Sequence, residues 1–301
     1  MTTAHAPRSI EHYLKALREA LAGEDPALVQ DALYDAEEYL RAEVAANPGK
    51  SEADVLELIA STYGAPEEVA DAYRSTEKQV REALAPPKPR EHRTALGRFF
   101  GVFGDSRAWT ALFYAVLALA TGIVYFTVTV AGLSLSAGLA ILIIGIPFFL
   151  LFVGFTRVLA LAEGRLVEAL LGQRMPRRPP YPTRGQPVLT RIKDMLVDRR
   201  TWTTMLYFLL MLPLGIVYFT VAVTGLAVSL GLIFAPFASW FTDFGGVHMD
   251  GVYTVPEPWA ALVTVPIGLL LLTLLMHLMR GIGIMHGGLA KHLLVAQSPG
   301  D

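Results

Sequence analysis

Tyrosines are the first residues in this sequence whose type and spacing could do chemistry. Tyr125 and Tyr218 hold matched positions in two similar apolar stretches, each sixteen residues after a tryptophan, Trp109 or Trp202. Sixteen residues span about 24 Å of helix, so the four aromatic residues fit the two interfacial belts of a membrane protein. The alternative is that Tyr125 and Tyr218 line a cavity for a hydrophobic small molecule or a lipid.

Three histidines, His277, His286 and His292, are candidates for a metal site. His277 and His286 are nine residues apart, which at about 100° per residue places them on opposite faces of a helix. No carboxylate motif accompanies them, so we predict no metal site and interpret them as interfacial or helix-end residues. Arg157 and Arg280, near the ends of two apolar stretches, are expected to extend toward lipid headgroups.

Acidic residues are missing from the apolar stretches, apart from Glu163 at a boundary. A proton-coupled pump needs buried carboxylates or a similar relay, so this pattern argues against one. The sequence has no nucleotide-binding loop, zinc-protease motif or nucleophile elbow. We therefore predict no catalytic residues, no cofactor and no enzymatic activity.

A second candidate site is acidic and lies near the amino terminus. Asp31, Asp35 and Glu38 are spaced at i, i+4 and i+7, opposite the apolar stripe of a predicted helix. This face is either solvated or a docking surface for a basic partner. Residues 1–80 carry seven basic and sixteen acidic side chains, a net charge of −9. Direct nucleic-acid binding is not expected, because affinity for phosphates rests on Lys and Arg.

The composition of the whole chain indicates a membrane protein with a separate soluble part. Of its 301 residues 53% are hydrophobic, and the mean hydropathy of +0.44 is too high for an ordinary soluble protein. Cysteine is absent, which rules out disulfides and weakly favours a reducing compartment. Residues 1–10 lack the pattern of a signal peptide, so we expect the amino-terminal part to stay in the cytoplasm.

Residues 1–84 are predicted to form a small soluble helical bundle. Apolar residues recur at helical spacing in four stripes. The stripes contain Ile10, Tyr13, Leu14, Leu17 and Leu21; Val29, Ala32, Leu33, Ala36, Leu40 and Val44; Val55, Leu58 and Ile59; and Val69, Ala72 and Tyr73. Asp25-Pro26 and Ser51 with Asp54 are typical helix starts. Residues 85–104, rich in proline at first, are predicted to be a semi-rigid linker.

An internal repeat organises the rest of the chain. Gly122–Val128 recurs unchanged as Gly215–Val221, an offset of 93 residues, and Asp105–Thr110 resembles Asp198–Thr203 at the same offset. Thr156–Gly164 resembles the later segment Met279–Gly287 at an offset of 123, so the second copy holds about thirty extra residues. The repeat predicts two tandem two-helix units. They comprise residues 105–172 and 198–293, separated by a basic loop, 173–197, with an insertion at about 235–260 in the second unit.

Each unit contains two apolar spans long enough to cross a bilayer. They lie at about 110–131 and 138–162 in the first unit and at about 203–226 and 260–284 in the second. The fold class is therefore all-α: a soluble helical bundle followed by a four-helix polytopic membrane domain. Residues 132–138 are too short and apolar for an exposed loop and are expected to dip into the bilayer.

The loop charges predict the orientation. Residues 163–200 carry nine basic side chains and residues 81–107 carry six, whereas residues 235–260 carry none. Because positive loops stay inside, we expect a multi-pass plasma-membrane protein with both termini and the central loop in the cytoplasm. Each unit would cross the bilayer an even number of times, so we expect the copies to share one orientation about a pseudo-twofold axis along the membrane normal.

The sequence resembles two families. Glu37–Leu40 and especially Tyr63–Ala70 resemble the HAAS signalling domain, a small helical module. The Gly-Ile-Val-Tyr-Phe run, followed by Ala162–Gly172, resembles the bacterial sensor domain found ahead of actinobacterial histidine kinases. The resemblances imply signal transduction, and HAAS proteins are typically paired with PadR-type winged-helix repressors. The chain departs from the kinase pattern after residue 292, so a kinase output is not expected.

A non-enzymatic membrane sensor is our preferred interpretation. It would register a lipid, a membrane-active drug or envelope stress, and would hold or release a cytoplasmic regulator of the PadR type. The alternatives are a small-molecule transporter or permease subunit, favoured by the repeat, and a membrane enzyme acting on lipids, disfavoured by the missing catalytic residues. Its partners would be the lipid bilayer and the regulator, and a homo-oligomer is compatible with the sequence.

Overall fold

The molecule consists of helices arranged as a small amino-terminal bundle and a larger apolar part. The computed structural model describes residues 7, 9–60, 62–84, 94–141, 145–178, 197–238, 247–249, 252–254 and 258–295. The helices in these ranges are α1 (Ile10–Ala20), α2 (Pro26–Ala46), α3 (Glu52–Ala60), α4 (Pro66–Leu84), α5 (Ala95–Phe100), α6 (Ser106–Leu139), α7 (Gly145–Leu171), α8 (Arg199–Ala238) and α9 (Ala261–Leu294). Helices α1–α4 form the N-domain.

Side-chain caps begin the N-domain helices at the predicted positions. The Asp25 carboxylate accepts a hydrogen bond from the backbone N–H of Ala27, with Pro26 as the first helical residue of α2. Ser51 and Asp54 form a reciprocal capping box at α3. Gly64, in the left-handed region with φ of 99°, makes the turn before α4. The predicted starts of α2 and α3 are confirmed.

The apolar stripes of α1–α4 face one another in a separate core. The buried residues are Ile10, Tyr13, Leu17, Leu21, Val29, Ala32, Ala36, Leu40, Val55, Leu56, Ile59, Val69 and Ala70. Leu58 was predicted to belong to this stripe, but it is 55% exposed and Leu56 takes its place. In a helix of only nine residues, a shift of two positions exchanges the buried face for the exposed one.

The connection between the two parts is shorter than predicted. Residues 85–93 of the predicted linker lie outside the described residues. The last part of the predicted linker, Ala95–Gly104, is folded as α5 and a 3-10 turn. Val102 in that turn is buried in the core of the larger part. Because it contributes to this packing, this stretch belongs to the larger apolar part, which we call the apolar domain.

Four helices, α6–α9, are long and apolar enough to cross a membrane. They are longer than the predicted spans, with α8 reaching 40 residues, about 60 Å. Residues 132–138, expected to dip into the bilayer as a turn, continue α6 as regular helix. The insertion contains a two-stranded antiparallel hairpin, β1 (Val247–Met249) with β2 (Val252–Thr254). Apart from this short hairpin, the expected all-helical class, with four helices that could span a membrane, is confirmed for the described residues.

Pairs of contacting residues give the relative directions of these helices. The α6–α7 hairpin and the α8–α9 hairpin are each antiparallel, as expected for neighbours in the chain. Helix α9 runs parallel to α6, because residue numbers rise together along their contacts. These contacts are Phe99 with His277, Asp105 with Arg280, Ala111 with Gly283, and Tyr114 with His286.

Consequently α6 and α8 run in opposite directions. Gly122 contacts the backbone of Met211, Gly215 contacts the backbone of Ala118, and the ring of Tyr125 stacks on Phe208. In each pair the α8 number falls as the α6 number rises. The expectation that the two units share one orientation is wrong for this packing, and the pseudo-twofold axis is perpendicular to the helices.

Gly122 and Gly215 allow α6 and α8 to approach closely. A Cβ atom at either position would collide with a backbone carbonyl of the other helix. Small residues bring helix backbones together in membrane proteins, where packing rather than hydrophobic burial drives association. Each glycine precedes a tyrosine, Tyr125 or Tyr218, by three residues, which places both on one face of the helix.

Candidate functional site

Six polar side chains meet where α6 and α8 cross, in the interior of the apolar domain. We call this group the polar centre; it consists of Tyr114 and Tyr125 from α6, Glu163 from α7, Tyr207 and Tyr218 from α8, and His286 from α9. All six are at most 4% exposed, and Glu163 and His286 are fully buried. Every long apolar helix therefore contributes to one buried polar cluster.

Glu163 is held by three hydroxyl groups. The hydroxyls of Tyr114 and Tyr207 donate to its Oε1 atom at 2.6 and 2.8 Å, and the hydroxyl of Tyr125 donates to Oε2 at 3.0 Å. Hydrogen bonds of this length to a carboxylate are charge-assisted and strong. They satisfy a group that would otherwise be very costly to bury.

His286 lies on the other side of the same two tyrosines. Its Nε2 atom is 2.7 Å from the Tyr114 oxygen and 3.0 Å from the Tyr207 oxygen, while Nδ1 is 3.4 Å from the Tyr218 oxygen. Since Tyr114 and Tyr207 each give their single proton to Glu163, we assign the imidazole proton to Nε2. Nδ1 then accepts from Tyr218.

Residues of the polar centre are related by the same sequence offsets as the two repeat units. Tyr114 and Tyr207 differ by 93 residues, and each of them contacts both Glu163 and His286. Glu163 and His286 differ by 123 residues, the offset between the second helices of the units. The same position thus carries an acid in one unit and an imidazole in the other, and the tyrosines join them.

Several sequence-based interpretations change here. Tyr125 and Tyr218 are buried, so the interfacial-belt interpretation is wrong for them, whereas Trp109 and Trp202 are both 48% exposed. Glu163 is an interior residue rather than a boundary residue, and His286 is an interior residue rather than a helix end. Tyr114 and Tyr207 were missed, although the offset of 93 relates them.

The arginines expected at lipid headgroups contact aspartates instead. Arg280 pairs with Asp105 at 3.1 Å, and Arg157 lies 3.7 Å from Asp198. Both aspartates precede the first helix of a unit, and the two contacts are again related by the offsets of 93 and 123.

His277 contacts the carbonyl of Phe99 at 2.9 Å and stacks on its ring. In the described ranges, no group of three His, Asp or Glu side chains could hold a metal.

A second polar site joins the N-domain to the apolar domain; we call it the docking contact. Asp31 on α2 is 5% exposed. Its carboxylate accepts hydrogen bonds from the backbone N–H groups of Arg177 and Arg178 at 2.7 and 2.9 Å and from the Arg174 side chain at 3.0 Å. Burial raises the pKa of Asp31, while these three donors oppose that shift.

Arg174 is the central cation of the docking contact. Its guanidinium reaches three carboxylates on three helices: Asp31 at 3.0 Å, Glu77 at 3.2 Å and Glu168 at 3.6 Å. Its side chain is only 12% exposed, so solvent screens these interactions weakly. Removing this charge would leave three carboxylates close together without their shared partner.

Further contacts surround Asp31. Asp35 pairs with Arg178 at 3.0 Å and accepts from the Tyr73 hydroxyl, whose pKa is raised by burial and by Asp35. Gln30 accepts from Arg200 at 2.8 Å, and Asp25 pairs with Lys291 at 2.6 Å.

The predicted acidic face is therefore partly covered by the chain's own basic residues. Asp31 and Asp35 lie in the docking contact, whereas Glu38 is exposed outside it. Binding of a separate protein to Asp31, Asp35 and Glu38 stays a prediction.

Residues 173–178 connect the docking contact to the polar centre. Met175 packs against Gly164, the neighbour of Glu163, and Gln173 packs against Gly287, the neighbour of His286. Arg174, between Gln173 and Met175, holds Asp31. Residues 173–178 therefore contact both the neighbours of the polar-centre residues and the N-domain.

Comparison with protein families places this arrangement in a known group. A family model described as "Putative sensor" matches residues 114–294, more than half of the chain. The chain belongs to this family. The sensor-family match begins at Tyr114 and includes all six residues of the polar centre. The match does not include the N-domain, so the HAAS resemblance stays a prediction. Neither the curated proteins nor the solved structures contain a match.

Proposed function

We propose that the chain is a non-enzymatic multi-pass membrane sensor whose polar centre controls the docking of the N-domain. Docking covers Asp31 and Asp35 with Arg174 and Arg178. A signal that rearranges α7 against α9 would loosen residues 173–178, and the acidic face would become free for a cytoplasmic regulator. The observation that carries this proposal is the packing of Met175 and Gln173 on the neighbours of Glu163 and His286.

The docking contact also supports a proposed orientation. Asp25 meets Lys291 near the carboxyl end of α9, and Gln30 meets Arg200 near the start of α8. These three parts of the chain must share a compartment, and the loop charges favour the cytoplasm. The tip of the α8–α9 hairpin is then about 60 Å away along α8, far enough for this hairpin to lie across a bilayer. The orientation is proposed for α8 and α9 alone, because α7 runs in the same direction as α8 and yet ends at the docking segment.

The proposed regulator is a winged-helix repressor of the PadR type, as the HAAS resemblance implies. Such a repressor needs a basic surface to meet DNA phosphates. The acidic face of the N-domain complements that surface. Attraction between them would be electrostatic and would weaken with salt, because the Debye length is already about 8 Å at 0.15 M.

The test is binding of the full chain in nanodiscs to the PadR-type regulator encoded beside it, measured by surface plasmon resonance at two salt concentrations. Arg174→Gln should raise the association rate, because it frees the acidic face without removing an acidic charge. Arg107→Gln is the matched control, since Arg107 is exposed at the start of α6 and its side chain takes no part in the docking contact. Equal binding by wild type and Arg174→Gln, or no dependence on salt, would exclude this mechanism.

A small-molecule transporter is the second candidate, and the internal repeat favours it. Transporters built from repeated units bind their substrates at the interface of the units, where the polar centre lies. Because Glu163 is the ionisable acid of that centre, the substrate would be cationic. Uptake of a fluorescent organic cation into proteoliposomes, lost in Glu163→Gln, would support transport; absence of uptake favours the sensor.

A further inference from the structure

A cavity between α7 and α8 lies beside the docking contact and outside the polar centre. Its polar lining comes from Thr156, Arg157, Asp198, Arg200, Thr201 and Thr204. Met175 and Pro176, from the segment that holds the N-domain, also line it, as does Leu294 at the end of α9. The cavity is therefore in contact with three parts of the molecule that the docking contact joins.

Thr201 has an unused hydrogen-bonding group in this cavity. The residue is only 6% exposed, and its Oγ1 atom has no hydrogen-bond partner. An unsatisfied buried hydroxyl costs about 1–3 kcal/mol, so each such group in a native protein calls for an explanation. A bound group that accepts a hydrogen bond from Thr201 would provide one.

The charges around Thr201 favour an anion. Arg157 and Arg200 supply two positive charges, and Asp198 supplies one negative charge, which leaves the lining with a net charge of +1. The Asp198 carboxylate is already engaged: one oxygen accepts from the Arg200 backbone N–H at 3.0 Å, and the other lies 3.7 Å from Arg157. Both guanidinium groups keep donors for a further acceptor.

We infer that this cavity binds a phosphate-bearing anion, either the headgroup of an anionic phospholipid or free phosphate. Guanidinium groups match phosphate oxygens in geometry and charge, and Thr201 would add one neutral donor. Arg200 also donates to Gln30 of the N-domain. An anion that draws this guanidinium into the cavity would lengthen its hydrogen bond to Gln30 and loosen the docking contact. Only that last step rests on the proposed function; the binding site does not.

The test is thermal unfolding of the full chain in nanodiscs of phosphatidylcholine, with and without phosphatidylglycerol, and in phosphatidylcholine with added inorganic phosphate. A ligand that binds the folded state raises Tm. A shift with phosphatidylglycerol alone identifies a lipid headgroup, and a shift with inorganic phosphate identifies the free anion. An unchanged wild-type Tm in both arms overturns the inference.

Thr201→Val is the decisive variant, because it keeps the shape and removes the unpartnered hydroxyl. Without anion it should be at least as stable as wild type, whereas its apparent affinity for the anion should fall about tenfold, as expected for one lost hydrogen bond to a charged group. Thr129→Val is the matched control: Thr129 is also buried with an unpartnered hydroxyl, but it does not line the cavity. Equal Tm shifts in wild type and Thr201→Val would mean surface attraction only and would refute the site.

Discussion

The repeat-related tyrosines Tyr125 and Tyr218 bind their partners unequally. The Tyr125 hydroxyl lies 3.0 Å from Glu163, whereas the Tyr218 hydroxyl lies 3.4 Å from His286. Among the described residues no lysine or arginine pairs with Glu163, so its stability in an apolar interior depends on the tyrosines. Replacing one of these tyrosines with phenylalanine therefore tests whether the buried Glu163 depends on their hydroxyl groups.

Tyr125→Phe should therefore destabilise the protein more than the equivalent change in the second unit, Tyr218→Phe. The first removes a donor at 3.0 Å to a buried carboxylate, worth about 1.5–3 kcal/mol; the second removes a long contact to a neutral imidazole, worth about 0.5–1.5 kcal/mol at most. Denaturant unfolding of the purified variants in detergent measures both values. A larger loss for Tyr218→Phe would contradict the arrangement.

The polar centre could have been found from the sequence by applying the repeat offsets to every polar residue. The offset of 93 pairs Tyr114 with Tyr207, and the offset of 123 pairs Glu163 with His286. Taken singly, each of these residues looks like a belt or boundary residue, because an apolar neighbourhood is all that hydropathy reports. Their convergence depends on the helix packing, which hydropathy does not contain.

At the scale of elements, the contact between α6 and α8 depends on two glycines. Gly122→Ala and Gly215→Ala should each destabilise the protein by about 1–3 kcal/mol, since the added methyl group meets a backbone carbonyl that cannot rotate away. Gly154→Ala in α7 is the control, because nothing lies near its Cβ position and alanine favours helix. Thermal unfolding in nanodiscs measures the three variants, and a loss in Gly154→Ala equal to the others would remove the argument for close approach.

The direction of packing could not be predicted from the pattern of buried residues. The buried positions of α6, such as Ala111, Ala115 and Ala118, recur at spacings of three and four, and so do those of α8. Such a stripe is buried equally well by a parallel or an antiparallel neighbour. The existence and approximate limits of the four apolar helices were predictable, because length and hydropathy determine them.

Cysteine cross-linking tests the direction directly, and the cysteine-free chain needs no background substitutions. Val153 of α7 and Met205 of α8 belong to one buried cluster. The pair Val153→Cys with Met205→Cys should therefore be joined by a short bifunctional thiol reagent, whereas Val153→Cys with Leu226→Cys should not. The opposite result is the one expected if both units shared an orientation.

At the scale of the whole molecule, the N-domain and the apolar domain are joined by residues far apart in sequence. Asp31 and Arg174 are 143 positions apart. The acidic face therefore looked either solvated or available to another protein, because the sequence gives no sign that its own basic segment folds back onto it. The helix caps of the N-domain were predictable because they depend only on neighbouring residues.

The proposed orientation predicts opposite accessibility for two introduced cysteines. Ser239→Cys, which follows the last residue of α8 in the sequence, should react with an impermeant thiol reagent on intact cells. Thr183→Cys, in the basic loop that follows the docking segment, should react only after permeabilisation. Labelling of intact cells at position 183 but not at 239 would reverse the orientation and place the N-domain outside.

The coupling of the polar centre to the docking contact is best tested by a distance measurement in the full chain. Spin labels at Glu57 on α3 and Met285 on α9, both exposed, report how the N-domain sits on the apolar domain. Double electron–electron resonance in nanodiscs should give one short, narrow distance for wild type. Arg174→Gln should add a longer, broader population, because loss of a buried ion pair costs about 3–5 kcal/mol.

Glu163→Gln decides the central claim, since it changes the polar centre and leaves every residue of the docking contact in place. The amide replaces an acceptor by a donor among the tyrosine hydroxyls, so the account predicts the same long, broad population for Glu163→Gln as for Arg174→Gln. Thr129→Val should keep the wild-type distance. A Glu163→Gln protein that is folded and retains the short, narrow distance, while Arg174→Gln loses it, would contradict the account.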